Sequence, residues 1–125
     1  MKIINTNKAP KAIGPYSQAK VAGNYIFTSG QIPLKPDGEL IENNFHEECK
    51  QVLQNLNFIL EKSGSNLNNV IKLTVYLTDL NNFTILNKIF EEVFTKNYPA
   101  RSTIEVSKLP MNARIEIEAI GYIDD

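Results

Sequence analysis

Hydrophobic and polar residues alternate one by one near the C-terminal end of the chain, which is the pattern of a half-buried β-strand. The apolar members of this strand share one face and are Ala113, Ile115, Ile117 and Ala119. Arg114, Glu116 and Glu118 share the other face, because side chains along a strand point alternately to its two sides. That face is too charged for an ordinary core, and the alternation leaves a solvated sheet surface open as the alternative.

Other segments also carry strand patterns. They are 18–22, 25–29, 70–78 and 98–106, with 39–41 as a candidate short strand. Gly23-Asn24 separates the first two segments and suits a two-residue hairpin turn. The inward-facing residues predicted for 70–78 are Ile71, Leu73, Val75 and Leu77. The last of these segments is joined to the C-terminal strand by Leu109-Pro110-Met111-Asn112.

Apolar residues recur at helical spacing in two places, 44–63 and 82–97. The first apolar stripe comprises Phe45, Cys49, Val52, Leu53, Leu56, Ile59 and Leu60, and the second comprises Phe83, Leu86, Ile89, Phe90, Val93 and Phe94. Asn43 or Asn44 can cap the first helix, and Gly64 can supply the left-handed residue after its end. Cys49 lies on the first stripe, so we interpret it as a small buried hydrophobe.

The predicted element order is β-β-(β)-α-β-α-β-β, an α/β (α+β) arrangement of two helices with a sheet of five to six strands. We expect both helices to pack on the same face of the sheet in a two-layer sandwich. The other sheet face mixes amphipathic and charged side chains, among them Lys72, Tyr76 and Tyr122. Such mixtures are typical of subunit contacts, so we predict a homo-oligomer. An open sandwich with a solvated sheet face is the alternative.

Composition and charge narrow the class of function. The 125 residues fit a single domain over 1–125, and a net charge of −1 does not favour a nucleic-acid or anionic-membrane partner. The N-terminal segment lacks the apolar core of a signal peptide, and no apolar run approaches the ~20 residues of a membrane span. With one cysteine, these features predict a soluble protein of a reducing, cytoplasmic compartment. His46 is the only histidine and has no cysteine ligand nearby, so no metal site is predicted.

Five short segments resemble the signature blocks of the RidA/YjgF family. They are Gly14-Pro15-Tyr16-Ser17-Gln18-Ala19, Thr28-Ser29-Gly30-Gln31-Ile32-Pro33, Thr78-Asp79-Leu80 followed by Phe83, Tyr98-Pro99-Ala100-Arg101-Ser102, and Ile115-Glu116-Ile117-Glu118-Ala119. They occur in the family's order and spacing over nearly the whole chain. The resemblance implies a chorismate-mutase-like fold and a homotrimer with clefts between subunits.

The resemblance also implies hydrolytic deamination of reactive 2-imino and enamino acids, such as imines derived from 2-aminoacrylate, to 2-ketoacids and ammonia. This is the reaction of a 2-iminobutanoate/2-iminopropanoate deaminase, with a small 2-imino or 2-keto acid as ligand and without cofactor or metal. The preferred imino acid and the enzyme that supplies it stay open. A non-catalytic regulatory protein that binds a small ketoacid in the same cleft is the alternative. RNA cleavage comes last, because the chain lacks a basic surface and a catalytic histidine.

Carried over by position, the family's carboxylate-binding arginine falls on Arg101 and its water-positioning glutamate on Glu116. The family's loop tyrosine falls on Tyr16. Ser29 and Gly30 correspond to the segment that lines the cleft. The resemblance therefore predicts that these residues meet at one site.

Two further positions complete this assignment. Asn87 corresponds to a helix residue at the edge of the cleft. Thr103 stands where many bacterial members have cysteine, so behaviour that depends on oxidation of that thiol should be absent. Its hydroxyl and that of Tyr16 could complete the hydrogen bonds of a catalytic water.

These residue types suit the hydrolysis of an imino acid. A planar guanidinium such as that of Arg101 can bind a carboxylate through two hydrogen bonds. Glu116 can hold or deprotonate water, and burial at a subunit contact would raise its pKa so that it could also serve as an acid, whereas a nearby Arg101 would lower that pKa. Without the resemblance, an ion pair between Arg101 and Glu116 across a subunit contact would be the first interpretation.

Overall fold

The computed structural model describes residues 1–124, which form six strands and two α-helices. The strands are β1 (Lys2–Ile4), β2 (Ala19–Ala22), β3 (Tyr25–Thr28), β4 (Val70–Leu77), β5 (Ala100–Glu105) and β6 (Ile115–Tyr122). The helices are α1 (Phe45–Lys62) and α2 (Phe83–Val93).

The strands form one mixed sheet in the order β1-β2-β3-β6-β4-β5. Only β4 and β5 run parallel to each other, and the other neighbours are antiparallel. The two C-terminal strands both pair with β4, so they are consecutive in the chain without being neighbours. One strand therefore separates Arg101 on β5 from Glu116 on β6.

Both helices pack on the same face of the sheet, as predicted. The fully buried sheet residues under them are Ile26, Leu73, Val75, Leu77, Ile115 and Ile117. The seven apolar residues predicted for the first helix are all buried. Asn44 caps α1 by accepting a hydrogen bond from Glu47 N–H at 3.1 Å, and Gly64 follows the helix with φ +95°. Neither helix in the described part of the chain is long and apolar enough to cross a membrane.

The strands depart from prediction in two places. The candidate strand 39–41 does not form, because Leu40 makes only an isolated bridge to Leu34. The third strand of the N-terminal half is instead β1. Ile71 was predicted to face the core, but it is 43% exposed. The reason is a bulge, because the register of β4 against β6 shifts between Val70 and Lys72 and turns Ile71 outward.

The second helix is shorter than the pattern predicts. It ends at Val93, and Phe94 takes an extended conformation while its side chain stays buried. Phe83 was predicted to be core, but it is 39% exposed. Apolar spacing alone does not show where a helix ends, because a buried side chain can also come from the extended residue that follows it.

Arg114 also departs from prediction, because its side chain bonds to α1 rather than lying beside Glu116 and Glu118 on the open sheet face. Its guanidinium donates to both carboxylate oxygens of Glu48, which is 1% exposed. Glu48 also accepts a hydrogen bond from Asn44 N–H at 3.0 Å. This buried carboxylate therefore joins the start of α1 to the start of β6.

Cys49 is fully buried and unpaired, as predicted for a small hydrophobe. Burial, and secondarily the charge of Glu48, raise the pKa of its thiol to about 12. Burial therefore disfavours the thiolate form, which argues against a nucleophilic role for Cys49.

Candidate functional site

A first cavity of about 360 Å³ lies beside the start of β6. Its volume corresponds to about twelve water molecules at ~30 Å³ each. Four of the residues predicted for the site line it together: Tyr16, Ser29, Gly30 and Glu116. Its remaining walls are mostly apolar and include Pro10, Ile13, Ile32, Leu34 and Pro110. The structure therefore brings four residues from three distant parts of the chain to one place.

Glu116 lies directly across the backbone of Gly30. A Cβ atom at position 30 would come within 2.7 Å of the Glu116 Cδ and 2.9 Å of its Cγ, closer than real Cβ atoms approach a neighbour. Burial, and then the nearby charge of Glu118, raise the pKa of the Glu116 carboxyl above its ordinary value. The site therefore holds a carboxyl that keeps its proton to higher pH than a solvated glutamate does.

Ser29 is held by the backbone of the two residues that precede β2. Its hydroxyl donates to Ser17 O at 2.6 Å, and its N–H donates to Gln18 O at 2.9 Å. The Ser29 hydroxyl thus already donates its proton to the backbone, and its oxygen can still accept a hydrogen bond from a ligand.

Tyr16 forms an outer part of the same cavity. Its side chain is 48% exposed, and its hydroxyl accepts a hydrogen bond from Ile13 N–H at 3.4 Å. The phenol proton can therefore be donated to a bound molecule.

A second cavity of about 290 Å³ contains the other two predicted binding residues, Arg101 and Asn87. The guanidinium carbon of Arg101 lies 5.1 Å from the ring centroids of both Phe83 and Phe90. Burial lowers the pKa of Arg101, although a guanidinium stays protonated at physiological pH. No carboxylate among residues 1–124 forms an ion pair with it. The site therefore presents an aromatic-flanked cation that no acidic side chain of the described chain neutralises.

The two cavities share no lining residue, and the sheet separates Arg101 from Glu116. Arg101 pairs with Leu73, which faces the helices, whereas Glu116 pairs with Tyr76. Leu73 and Tyr76 are three positions apart on β4, so their side chains point to opposite faces. One copy of the chain therefore does not bring the predicted arginine and glutamate into one cavity.

Thr103 lines neither cavity. It pairs with Val75, so its side chain points to the helix face, as that of Arg101 does two residues earlier. Its hydroxyl oxygen is buried, and no hydrogen-bond partner is present among the described residues. The position thus has unused hydrogen-bonding capacity close to Arg101.

No three His, Cys, Asp or Glu side chains of residues 1–124 come together as a metal site. His46 is exposed at the start of α1, with its Nδ1 3.5 Å from a Glu47 carboxylate oxygen. Neither cavity is lined by a histidine or a cysteine.

Sequence reasoning missed several residues that build the two cavities. The walls include Lys11, Gln31 and Pro110 in the first cavity and Glu91 in the second. The two phenylalanines around Arg101 carry a helical core pattern, which gives no sign that their rings face a cation. That α2 covers Arg101 is seen from the contacts of its guanidinium with these two rings.

The chain matches the family model described as Endoribonuclease L-PSP over residues 6–123. A RutC family protein of Pyrococcus abyssi is 50% identical over 122 residues, which cover 97% of this chain and 96% of that protein. The 2-iminobutanoate/2-iminopropanoate deaminase of Homo sapiens is 46% identical over 121 residues, covering 96% of this chain and 88% of the human protein.

Among solved structures, RidA from an Antarctic Psychrobacter species superposes with a TM-score of 0.95 at 43% identity. The match covers 98% of this chain and 100% of that one. The sequence and the backbone thus agree over almost their full length. The chain therefore belongs to the RidA/YjgF family.

Proposed function

We propose that this protein is a hydrolytic deaminase that converts reactive 2-imino and enamino acids to 2-ketoacids and ammonia. The observation that carries the proposal is the pair of complementary half-sites. One holds an unpaired guanidinium between two aromatic rings, and the other holds a carboxyl with a raised pKa. The human relative at 46% identity bears the name of such a deaminase, which supports the same reaction class here.

The proposed site forms between copies of the chain in a homotrimer. Arg101 and Asn87 of one copy would face Tyr16, Ser29 and Glu116 of the next. This arrangement is supported by the opposite orientation of Arg101 and Glu116 within one copy, since a small substrate cannot otherwise contact both. The half-exposed Tyr25, Phe27 and Ile104 give the sheet the apolar surface that a subunit contact requires.

The reaction follows from the chemistry of the two half-sites. Arg101 binds the substrate carboxylate, and each charged hydrogen bond contributes about 1.5 to 3 kcal/mol. Glu116 takes a proton from water as the oxygen attacks the C=N carbon, which forms a carbinolamine. Glu116 returns that proton to the nitrogen, which completes the carbinolamine. It then carries the proton of the carbinolamine hydroxyl to the amino group, so that ammonia leaves as the C–N bond breaks and the C=O bond forms. Glu116 ends in the state in which it began, so the chain needs no cofactor or metal for this cycle.

Tyr16 has a supporting role in the proposal, because its hydroxyl has hydrogen-bonding capacity left and would complete the hydrogen bonds of the attacking water. The buried hydroxyl of Thr103 lies outside both cavities of one copy, so it has no part in this step. The proposed substrates are small, such as 2-iminobutanoate and the imine derived from 2-aminoacrylate, and the proposed location is the cytoplasm.

The test is a coupled assay in which a dehydratase generates the imino acid. Purified protein should accelerate release of the ketoacid and ammonia, and Arg101→Ala should reduce kcat/KM by about 100-fold through loss of the charged hydrogen bonds. Circular dichroism should show that the variant stays folded. Arg101-dependent binding of 2-ketobutyrate without any acceleration would instead support the ketoacid-binding alternative.

The family description also names an endoribonuclease activity. The residues favour endoribonuclease activity less than deamination, because the net charge is −1 and the single histidine is outside both cavities. Salt-sensitive RNA binding and cleavage by the pure protein, with no effect on imine hydrolysis, would reverse this order.

A further inference from the structure

The side chain of Gln18 is buried in the wall of the first cavity and is 3% exposed. Its amide bonds to one backbone segment near the N-terminus. Thr6 N–H donates to Oε1 at 2.7 Å, and Nε2 donates to Thr6 O at 3.1 Å and to Pro10 O at 2.8 Å. A glutamine at this position thus uses its donor and acceptor groups to fix residues 6–10.

The backbone at Gln18 is fixed as well. Its carbonyl accepts from Ser29 N–H at 2.9 Å, and the carbonyl of Ser17 accepts from the Ser29 hydroxyl at 2.6 Å. Residues 11–16, which we call the arch, lie between these two attachments. Both ends of the arch are therefore held at Gln18, one through its side chain and the other through its backbone.

The arch itself is mostly exposed and yet forms one wall of the cavity. Lys11, Ile13 and Tyr16 line the cavity, and all three are exposed. The hydrogen bonds found within the arch are short-range: Tyr16 N–H to Gly14 O at 2.8 Å and Ile13 N–H to the Tyr16 hydroxyl at 3.4 Å. Its position relative to Glu116 must therefore come from its attached ends.

We infer that Gln18 is a positioning residue for the deaminase reaction, whose buried amide holds the arch so that Tyr16 faces the carboxyl of Glu116. The inference rests on the proposed function. Gln18 does not contact the reacting atoms and acts through Tyr16. A displacement of about 1 Å in such a group can cost two orders of magnitude in rate.

The experiment compares Gln18→Met with Ser65→Ala in the full-length protein. Methionine keeps the length of the side chain but cannot replace its hydrogen bonds. Ser65→Ala removes a partly buried hydrogen bond of 2.6 Å from the Ser65 hydroxyl to Tyr122 O, and Ser65 lines neither cavity. Gln18→Met should lower kcat about tenfold or more and accelerate hydrogen exchange at the amides of Ile13 and Tyr16. Ser65→Ala should leave kcat unchanged.

Repeating the measurement in the Tyr16→Phe variant distinguishes a positioning role of Gln18 from a general loss of stability. In Tyr16→Phe, Gln18→Met should have a clearly smaller effect on kcat, because the group that it positions is already gone. The inference is overturned if the effects of the two substitutions on kcat are fully additive. It is also overturned if Gln18→Met has the kcat of the wild type and the same hydrogen exchange in the arch. If Gln18→Met does not fold, Gln18→Glu keeps the volume and the acceptor and is judged by the same readouts.

Failure of the proposed function is distinguishable from failure of this inference. If the wild-type protein does not deaminate imino acids, the proposed function fails, and hydrogen exchange still tests the arch. Unchanged exchange at Ile13 and Tyr16 in Gln18→Met would then overturn the role of Gln18.

Discussion

Glycine at position 30 makes room for the carboxyl group that lies across it, rather than serving a turn. The Glu116 side chain occupies the space where a Cβ would be, so any other residue at position 30 would push that side chain aside. This glycine therefore acts on the electrostatics of the site, because it lets the carboxyl lie against the backbone and away from water.

Gly30→Ala should displace Glu116, reduce deaminase kcat/KM by about tenfold or more, and destabilise the fold by roughly 1–3 kcal/mol through overpacking. Activity and urea unfolding measure the two effects. In a Glu116→Ala background the obstructing side chain is absent, so Gly30→Ala should cost much less stability there. An equal cost in both backgrounds would contradict this account.

Glu116 should also make stability depend on pH. Because its pKa is raised in the fold, its contribution to stability is full below the ordinary value of 4.5 and is lost as pH rises through the raised pKa. Glu116→Gln cannot ionise, so its stability relative to wild type should increase as the pH rises above the ordinary value of 4.5. Urea midpoints of both proteins, measured over this pH range, give the difference. Midpoints that change with pH in the same way in both proteins would rule out a raised pKa for Glu116.

The site could be foreseen from the sequence only as a set of residues, not as an arrangement. Tyr16, Ser29, Gly30 and Glu116 share a cavity, as the family blocks led us to expect, but Arg101 and Asn87 lie in another. Alternation assigns each residue to a face of its own strand. It does not show that β4 lies between the two strands, which depends on long-range pairing.

At the scale of elements, α1 shows both the strength and the limit of pattern reading. Its seven apolar positions were predictable, and its cap was narrowed to Asn43 or Asn44, because helical spacing and capping are local properties. Glu48 and Asn55 are also buried, although both are polar. Each has one partner within a helical turn, Asn44 N–H for Glu48 and Gln51 Nε2 for Asn55. Their other partners, Arg114 and the carbonyls of residues 32 and 34, are remote in the chain and leave no local signal.

Glu48→Ala should destabilise the protein by roughly 2–4 kcal/mol, because it breaks a charge pair whose acid is buried and frees the Asn44 N–H. Glu47→Ala is the matched control at the adjacent position of the same helix. Glu47 is exposed, so its loss should cost less than about 1 kcal/mol. Equal unfolding free energies for the two variants in urea would show that the buried pair contributes little.

At the scale of the whole molecule, the sheet face opposite the helices carries ordered rows of side chains. One row runs through Ile3, Lys20, Phe27, Ile120 and Lys72 across neighbouring strands. Another brings Glu116, Tyr76 and Ile104 side by side. The sequence predicted this mixture of apolar and charged groups, but it could not specify the rows, because they follow from register.

If the active site forms between copies, two inactive variants should restore each other. Arg101→Ala and Glu116→Ala subunits, unfolded together and refolded as a mixture, should regain activity. Random assembly would give both native residues to about one site in four, the product of one half and one half. The deaminase assay on the mixture measures this recovery, with each variant refolded alone as the control. A mixture as inactive as its components would place both residues in a single copy.

The enclosed Cys49 has a practical consequence. Since it is the single thiol of the sequence and is fully buried, an added maleimide can react with the native protein only after the helix layer has opened. The labelling rate in mild denaturant would therefore count opening events directly, with no engineered probe and no change to either cavity.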